Sequence, residues 1–419
     1  MAQTEGLSLR ANMLWNSAGS LTRLACSYLV TIAVVRLSHG FDAAGALALA
    51  MSISNLVNPF ADFRLRTVQV TDVRDERSSG AYVGLRICTT GLAFVIGAVY
   101  ALATTSFAAM PVILLYLVYS LAGNFIEVLH AIDQRHRRMD YIGRSYMMQG
   151  VFTLVVFCLG LRLTNSLEVA VILMAAVTVL IGVVYDVPRA ARFEVLRPVV
   201  EIGPALKVLA TLLPLVLAQV CSSAVLTVPR QHLAMTAGAA ALGIYSAVAS
   251  PAVIVQMGAT YVYSPLMGEF ADKFRTDKRA AMRLLRRTVV GIVLVTAAFS
   301  VLLLLLGRPI LWVMYGSGVV EYTYLLQPAV LCTLMTAFAW FMNDLLLALR
   351  DFKASFLGNA AAAVVTVASS TIIVDAFGMN GVSWVGVLSY GVAVLVLLGT
   401  TLLVLFGVLL GGRNYVSAV

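Results

Sequence analysis

Arg23 sits about nine residues into an apolar stretch, Leu14–Leu37, in company with Asn12, Asn16, Ser20 and Ser27. Successive spacings of 4, 4, 3 and 4 put these five side chains on one face of a helix. A guanidinium inside a membrane is costly unless it faces a cavity or a counter-charge. The face therefore reads as the wall of a wet, anion-binding cleft, or as one side of an ion pair with Asp62, Glu127 or Asp344. Asn55, Asn58 and Asp62, spaced 3 and 4 around Pro59, make a second polar face in the next stretch. They read as lining the same cleft or as interhelical hydrogen bonding, and Asp62, close to Arg64, equally as a boundary charge. Glu127, Asn343 and Asp344 lie some four to seven residues inside the ends of their stretches. A carboxylate at that depth binds H+ or Na+, or pairs with the basic loop one turn on. Asp62, Glu127 and Asp344 are thus the ion-coupling candidates. Gln219, with Ser222 and Ser223, and Gln256 offer polar groups for an opposite wall.

Other chemistry has no motif behind it. The sequence contains no Walker lysine loop, GxGxxG, HExxH or CxxC. The four His are scattered without metal spacing, and the five Cys sit in or beside apolar stretches as small hydrophobes. No catalytic residue, metal site or cofactor is expected, and the chain is not read as an enzyme.

The elements that hold these polar faces follow from composition. The chain has 419 residues, 61% hydrophobic and 12% charged, with mean hydropathy +0.93. A soluble domain is about half apolar and about a quarter charged, so a soluble enzyme, a disordered chain, a coiled coil and a disulfide scaffold are excluded. Apolar segments fall at Leu14–Leu37, Phe41–Phe63, Val83–Leu102, Met110–His130, Ser145–Leu161 and Leu167–Val187. A second set follows at Leu206–Leu226, Leu242–Leu266, Thr288–Leu306, Tyr324–Leu349, Ala354–Val374 and Val382–Leu410. Each is long enough to cross a bilayer as a tilted helix. The fold class is an all-α polytopic membrane protein of about 12 transmembrane helices.

The net charge of +9 is read as loop charge rather than nucleic-acid binding. Nearly all of the 29 Lys and Arg fall in loops on one side, Arg66 and Arg86 among them. Arg36, Arg162, Arg230 and Arg308 fall on the other side. Both termini are therefore expected in the cytoplasm. The first stretch reads as a span and not a removed signal peptide, and Arg308–Thr323 as an interfacial aromatic segment.

The halves repeat weakly. Glu127-x-x-x-Ala131 before a basic loop and Gly143 matches Asp344-x-x-x-Ala348 before Arg350, Lys353 and Gly358. Arg36 before Ala44-Gly45 matches Arg230 before Leu242-Gly243. Six spans per half make the repeat parallel, with two pseudo-symmetric six-helix bundles, residues 1–200 and 201–419, around a central cleft.

Several short motifs recur in a familiar order: Leu14-Trp15-Asn16-Ser17-Ala18-Gly19-Ser20, Val34-Val35-Arg36-Leu37, Ala44-Gly45, Ala50–Pro59, Gln69-Val70-Thr71-Asp72-Val73 and Tyr82-Val83-Gly84-Leu85-Arg86. In the second half come Val228-Pro229-Arg230, Leu242-Gly243-Ile244-Tyr245, Ala249-Ser250-Pro251-Ala252 and Leu349-Arg350-Asp351-Phe352-Lys353. Over most of its length the chain resembles the polysaccharide transporter family, the oligosaccharide flippases of the multidrug/oligosaccharidyl-lipid/polysaccharide exporter superfamily. The resemblance implies a bacterial inner-membrane protein that moves undecaprenyl-diphosphate-linked oligosaccharide units outward for capsule or exopolysaccharide synthesis. It implies membrane lipids as surroundings, polymerase and glycosyltransferase partners, and cavity arginines for the diphosphate. Arg23 matches by location, while Arg36 and Arg230 read as rim groups or interfacial anchors. Asn16, Asn55, Asn58 and Gln219 would meet sugar hydroxyls. Two rivals remain open: a multidrug/cation antiporter of the same superfamily, which favours an acidic cavity, and a membrane glycan polymerase, which calls for a large charged outer loop.

Overall fold

A computed structural model describes residues 6–72, 77–200, 202–349 and 351–410; Val73 and Arg350 of the motifs above, and the loop cations Arg74 and Arg413, lie outside them. The described chain is helical, without a strand. In order come α1 (Leu9–Leu37), α2 (Asp42–Asp62), α3 (Leu65–Thr71), α4 (Ser79–Thr104), α5 (Met110–Arg135), α6 (Met139–Thr164), α7 (Leu167–Ile181) and α8 (Val187–Ala190). Then follow α9 (Ile202–Ala249), α10 (Val253–Tyr263), α11 (Met267–Thr276), α12 (Lys278–Tyr315), α13 (Ser317–Val320), α14 (Leu326–Ala348), α15 (Phe352–Phe377) and α16 (Met379–Leu410). Side-chain caps open several of them. Ser8, Ser78 and Ser166 accept from backbone N–H groups at the starts of α1, α4 and α7, and Asp277 and Asp351 do so at α12 and α15.

Among the described residues, 11 helical stretches are long and apolar enough to cross a membrane. One of them, Gly203–Ala252, is 50 residues long, about 75 Å at 1.5 Å per residue against a hydrocarbon core of about 30 Å. It breaks at Gly238, whose φ of 85° is open to glycine at little cost. The stretch before Gly238 is one span, and the stretch after it, continued through Ser250–Ala252 into α10, is another. The chain is a multi-pass membrane protein with eleven such spans among the described residues, or twelve with Gly203–Ala252 divided at Gly238.

Two compact units form. One comprises Met1–Val216 and Ala237–Ala247; the other comprises Leu217–Thr236 and Val248–Val419. In the first, α1 lies along α6, α2 packs on α4 and α5, α3 on α5, and α7 on α5 and α6. In the second, α10 packs on α12 and α14, α11 on α14, and α16 on α14 and α15. The pairing α2–α4–α5 thus recurs as α10–α12–α14, as the repeat in the sequence anticipates. Within the first unit a symmetric contact supports the same register. A Cβ on Gly45 would collide with the carbonyl oxygen of Ala239, and a Cβ on Gly243 with that of Phe41. Each glycine thus meets the residue four positions before the other, the reciprocal pattern of a two-fold contact.

Three expectations change. Thr227–Ala237, with Arg230, is helix rather than the connection left between Leu226 and Leu242. Its polar groups are housed in the second unit: Gln231 is buried, and His232 pairs with Asp375 at 2.7 Å. Arg308 and Trp312 lie on α12, which runs on to Tyr315, so the interfacial aromatic segment is the end of a helix. Arg86, counted with the loop cations, is fully buried in α4. Its Nη1 donates to the carbonyl oxygens of Ala61 (2.7 Å) and Asp62 (3.2 Å), and Nη2 lies 3.5 Å from the Asp62 carboxylate. It caps the C-terminus of α2, where Phe63 and Arg64 turn left-handed.

Candidate functional site

Five helices of the first unit, α1, α2, α5, α6 and α7, enclose a cavity of about 500 Å³. Small residues let α1 approach α6 closely enough to aim its polar face inward. A Cβ on Gly143 would strike the Trp15 carbonyl, and one on Gly150 would come within 2.9 Å of Arg23 Cα. Ser20, Arg23 and Ser27 line the cavity from α1, and Asn58 lines it from α2. Ser120 Oγ (3.1 Å) and Asn124 Nδ2 (2.9 Å), both on α5, donate to Asn58 Oδ1. Tyr116, Tyr119, Tyr146 and Gln149 add further polar lining. The cavity reaches the surface of the unit along α1, where Leu24 lines it and is 47% exposed.

Glu127 of α5 organises the charge. Arg66 of α3 donates through Nη1 to Glu127 Oε2 and to Tyr146 Oη (2.8 Å), and through Nε and Nη2 to Gln134 Oε1 at 3.2 and 2.9 Å. Tyr146 Oη donates to Glu127 Oε1 at 2.8 Å. Arg23 Nη1 stands 3.6 Å from that same oxygen, and its guanidinium lies 4.4 Å from the centre of the Tyr146 ring. The two arginines differ in duty. Arg66 is 23% exposed with its donors engaged, whereas Arg23 is 44% exposed and too far from Glu127 to hydrogen-bond. Arg66 fixes the carboxylate, and the Arg23 donors remain available to a ligand. An ordered, partly exposed Arg suits the planar geometry of a phosphate.

The residues singled out in the sequence separate accordingly. Arg23, Asn58 and Glu127 come together on the wall of one cavity, with Arg23 Nη1 3.6 Å from Glu127 Oε1. Asn12 is buried and joins α1 to α6, donating to the Leu7 carbonyl and accepting from Met139 N, each at 2.9 Å. Asn16 is half-buried on α1, Asn55 is exposed on α2, and neither lines the cavity. Asp62 is engaged with Arg86, and Arg36 is exposed in the last turn of α1. Gln219, Arg230 and Asp344 belong to the second unit. There Gln219 is exposed, Arg230 is half-buried on α9, and Asp344 accepts from Tyr263 Oη at 3.1 Å. Sequence reasoning missed Arg66, Tyr146 and a buried His130–Asp186 pair at 3.2 Å. A His three residues from a membrane carboxylate was the available signal for the last. Among the described residues no His, Cys, Asp and Glu group is placed to hold a metal ion.

The fold has close counterparts among solved membrane proteins. A lipid II flippase, MurJ, in an inward closed conformation, superposes with a TM-score of 0.74 at 12% identity, over 93% of this chain and 87% of that one. An inward-facing multidrug resistance MATE transporter of the MOP superfamily gives 0.65 at 14% identity, over 92% and 98%. A Vibrio cholerae MATE transporter, VcmN, gives 0.60 at 15%, over 97% of each. By sequence, a capsular polysaccharide biosynthesis protein, CapF of Staphylococcus aureus, is 23% identical over 297 residues, 70% of this chain and 74% of that protein. No family model matches. These likenesses agree with the resemblance carried by the motifs, and the chain is a multi-pass membrane protein with the fold of the lipid II flippase and the MATE transporters of the MOP superfamily.

Proposed function

We propose that the protein is a flippase that carries a lipid-diphosphate-linked oligosaccharide across the bacterial inner membrane for surface polysaccharide synthesis. The observation that carries this reading is the available Arg23 guanidinium on the wall of a polar cavity that reaches the surface beside Leu24. A diphosphate cannot cross hydrocarbon uncompensated. Arg23 receives it, Asn58, Asn124 and Gln149 meet sugar hydroxyls, and the lipid tail stays in the bilayer. The likeness to MurJ and to CapF supports this substrate class. Transport proceeds by alternating access, with both termini cytoplasmic and with glycosyltransferases and a polymerase supplying and consuming the substrate. Coupling to H+ or Na+ through Glu127 or Asp344 is part of the proposal.

The test is movement of fluorescent undecaprenyl-diphosphate oligosaccharide in proteoliposomes, followed with an impermeant quencher. Wild type is expected to move it and Arg23→Ala to lose most of the rate. Movement indifferent to Arg23 would remove the site. Transport of lipophilic cations with no glycan movement would favour the drug-antiporter reading, in which Glu127 and the cavity tyrosines hold the cargo.

A further inference from the structure

One carboxylate oxygen in the cavity wall has two suitors. Glu127 Oε1 lies 3.6 Å from Arg23 Nη1 and 3.9 Å from His130 Nδ1. His130 is fully buried one turn along α5, and its Nδ1 has no hydrogen-bond partner among the described residues. The other ring nitrogen, Nε2, is 3.2 Å from Asp186 Oδ1. Asp186 is fully buried too, and its Oδ2 accepts from Ser145 Oγ at 2.9 Å. A turn of π-helix, Gly182–Asp186, continues α7 and carries this aspartate, and such turns often mark functional positions. An imidazole with a carboxylate beside each nitrogen has a counter-charge in place on both sides of its protonated form. The binding scheme above makes no use of it.

We infer that His130 is a proton-operated substitute for Arg23. When an anion draws Arg23 away, Glu127 Oε1 loses its cation. A proton then arrives on His130, and the imidazolium takes up the place at Oε1 while Asp186 holds the far side of the ring. The inference rests on the reading of Arg23 as the anion site.

Charged and polar groups of α3, α4 and α6 surround the pair. Arg66 of α3 keeps Glu127 Oε2 throughout, and Arg86 of α4, itself paired to Asp62 of α2, also lies in its field. Tyr146 of α6 bonds Oε1 and packs edge-on against the His130 ring, with centroids 5.0 Å apart. Asp133, one turn further along α5, is buried near Asp186, and its carboxyl oxygens have no hydrogen-bond partner among the described residues. Proton and anion then occupy the cavity together rather than by turns.

By linkage, affinity for the anion is greatest at low pH and falls as pH rises through the range where the bound form sheds its proton. The test uses the purified full-length protein in nanodiscs and a short-chain dialkyl diphosphate diester, whose two acid groups stay ionised throughout the working range. Calorimetry in buffers of different ionisation heat counts the protons. Wild type is expected to take up close to one proton per anion, with affinity tightening by up to about tenfold per pH unit lowered. His130→Gln is expected to match wild type at the alkaline end, to take up no proton and to show no pH dependence. Asp186→Asn, close in shape to the native residue, is expected to displace the pH range of uptake. Wild-type binding without proton uptake, uptake retained in His130→Gln, or an unshifted Asp186→Asn profile would each overturn the inference and leave the flippase reading standing. No diphosphate binding by wild type, or Arg23→Ala binding as wild type does, would remove the anion site and the inference with it.

Discussion

Glu127 and Asp344 occupy matching places in the two halves, yet their surroundings differ in kind. Glu127 is held by Arg66, Tyr146 and Arg23 on the wall of a polar cavity. Asp344 accepts from the hydroxyl of Tyr263, whose ring packs against Phe341, centroids 5.3 Å apart, within an apolar cluster that includes Phe270, Met342 and Leu345. In the register set by Gly143 and Gly358, Tyr146 and Gln149 of α6 correspond to Ala361 and Val364 of α15. The repeat therefore conserves a scaffold and divides the labour. The first unit spends burial on charge, which is costly to hold and useful to a ligand. The second surrounds Tyr263, the partner of Asp344, with apolar side chains that stabilise by packing closely.

Substitutions can sharpen or break this contrast. The largest effect is expected from Glu127→Ala, which strips a mostly buried carboxylate from Arg66. Breaking such a pair costs about 3–5 kcal/mol, read as loss of thermal stability in detergent together with loss of transport. Asp344→Asn, whose amide oxygen still accepts from Tyr263, is expected to cost less than Glu127→Ala; an equal loss at both sites would erase the distinction. Phe341→Ala is expected to lower stability by about 3–5 kcal/mol while diphosphate binding per folded molecule is unchanged. Asn55→Ala, at an exposed position outside the cavity, is expected to stay within about 0.5 kcal/mol of wild type and to transport normally. The smallest effect concerns Asp277, whose carboxyl the Ala280 backbone N–H, aided by Arg279 N–H, holds below the usual carboxylate range. A depressed value means its cap is complete above the unfolded-state range and is lost as pH falls through the folded one. Amide exchange in the first turn of α12 should quicken there on acidification, and not in Asp277→Asn.

Much of the scaffold was legible because membrane spans and polar faces are local patterns. The stripe Ser20–Arg23–Ser27 needs only helical periodicity; that Arg23 would meet a carboxylate was legible too, but not which of Asp62, Glu127 and Asp344 it would be. What could not be read depends on packing between distant segments. Arg66 and Arg86 look like loop cations until α3 and α4 fold them against Glu127 and the end of α2. Tyr146 becomes part of the site because Gly143 and Gly150 let α1 come close to α6. Asn55 shares the helical face of Asn58 in a spacing count, but it is exposed, and Met51 and Asn58 on either side of it line the cavity instead. The connection before Leu242 failed as a loop because His232 and Gln231 find polar places inside the second unit, so that only Gly238 breaks the helix.

The central claim is that the polar cavity of the first unit holds a diphosphate at Arg23. It is tested most directly by photo-crosslinking with a lipid diphosphate carrying a diazirine beside the phosphates, followed by peptide mapping. Adducts are predicted on α1, α5 and α6 around Arg23, Tyr119 and Tyr146, competed by unlabelled diphosphate lipid and lost in Arg23→Ala. Adducts confined to the second unit, or labelling of the first unit that survives Arg23→Ala undiminished, would contradict it.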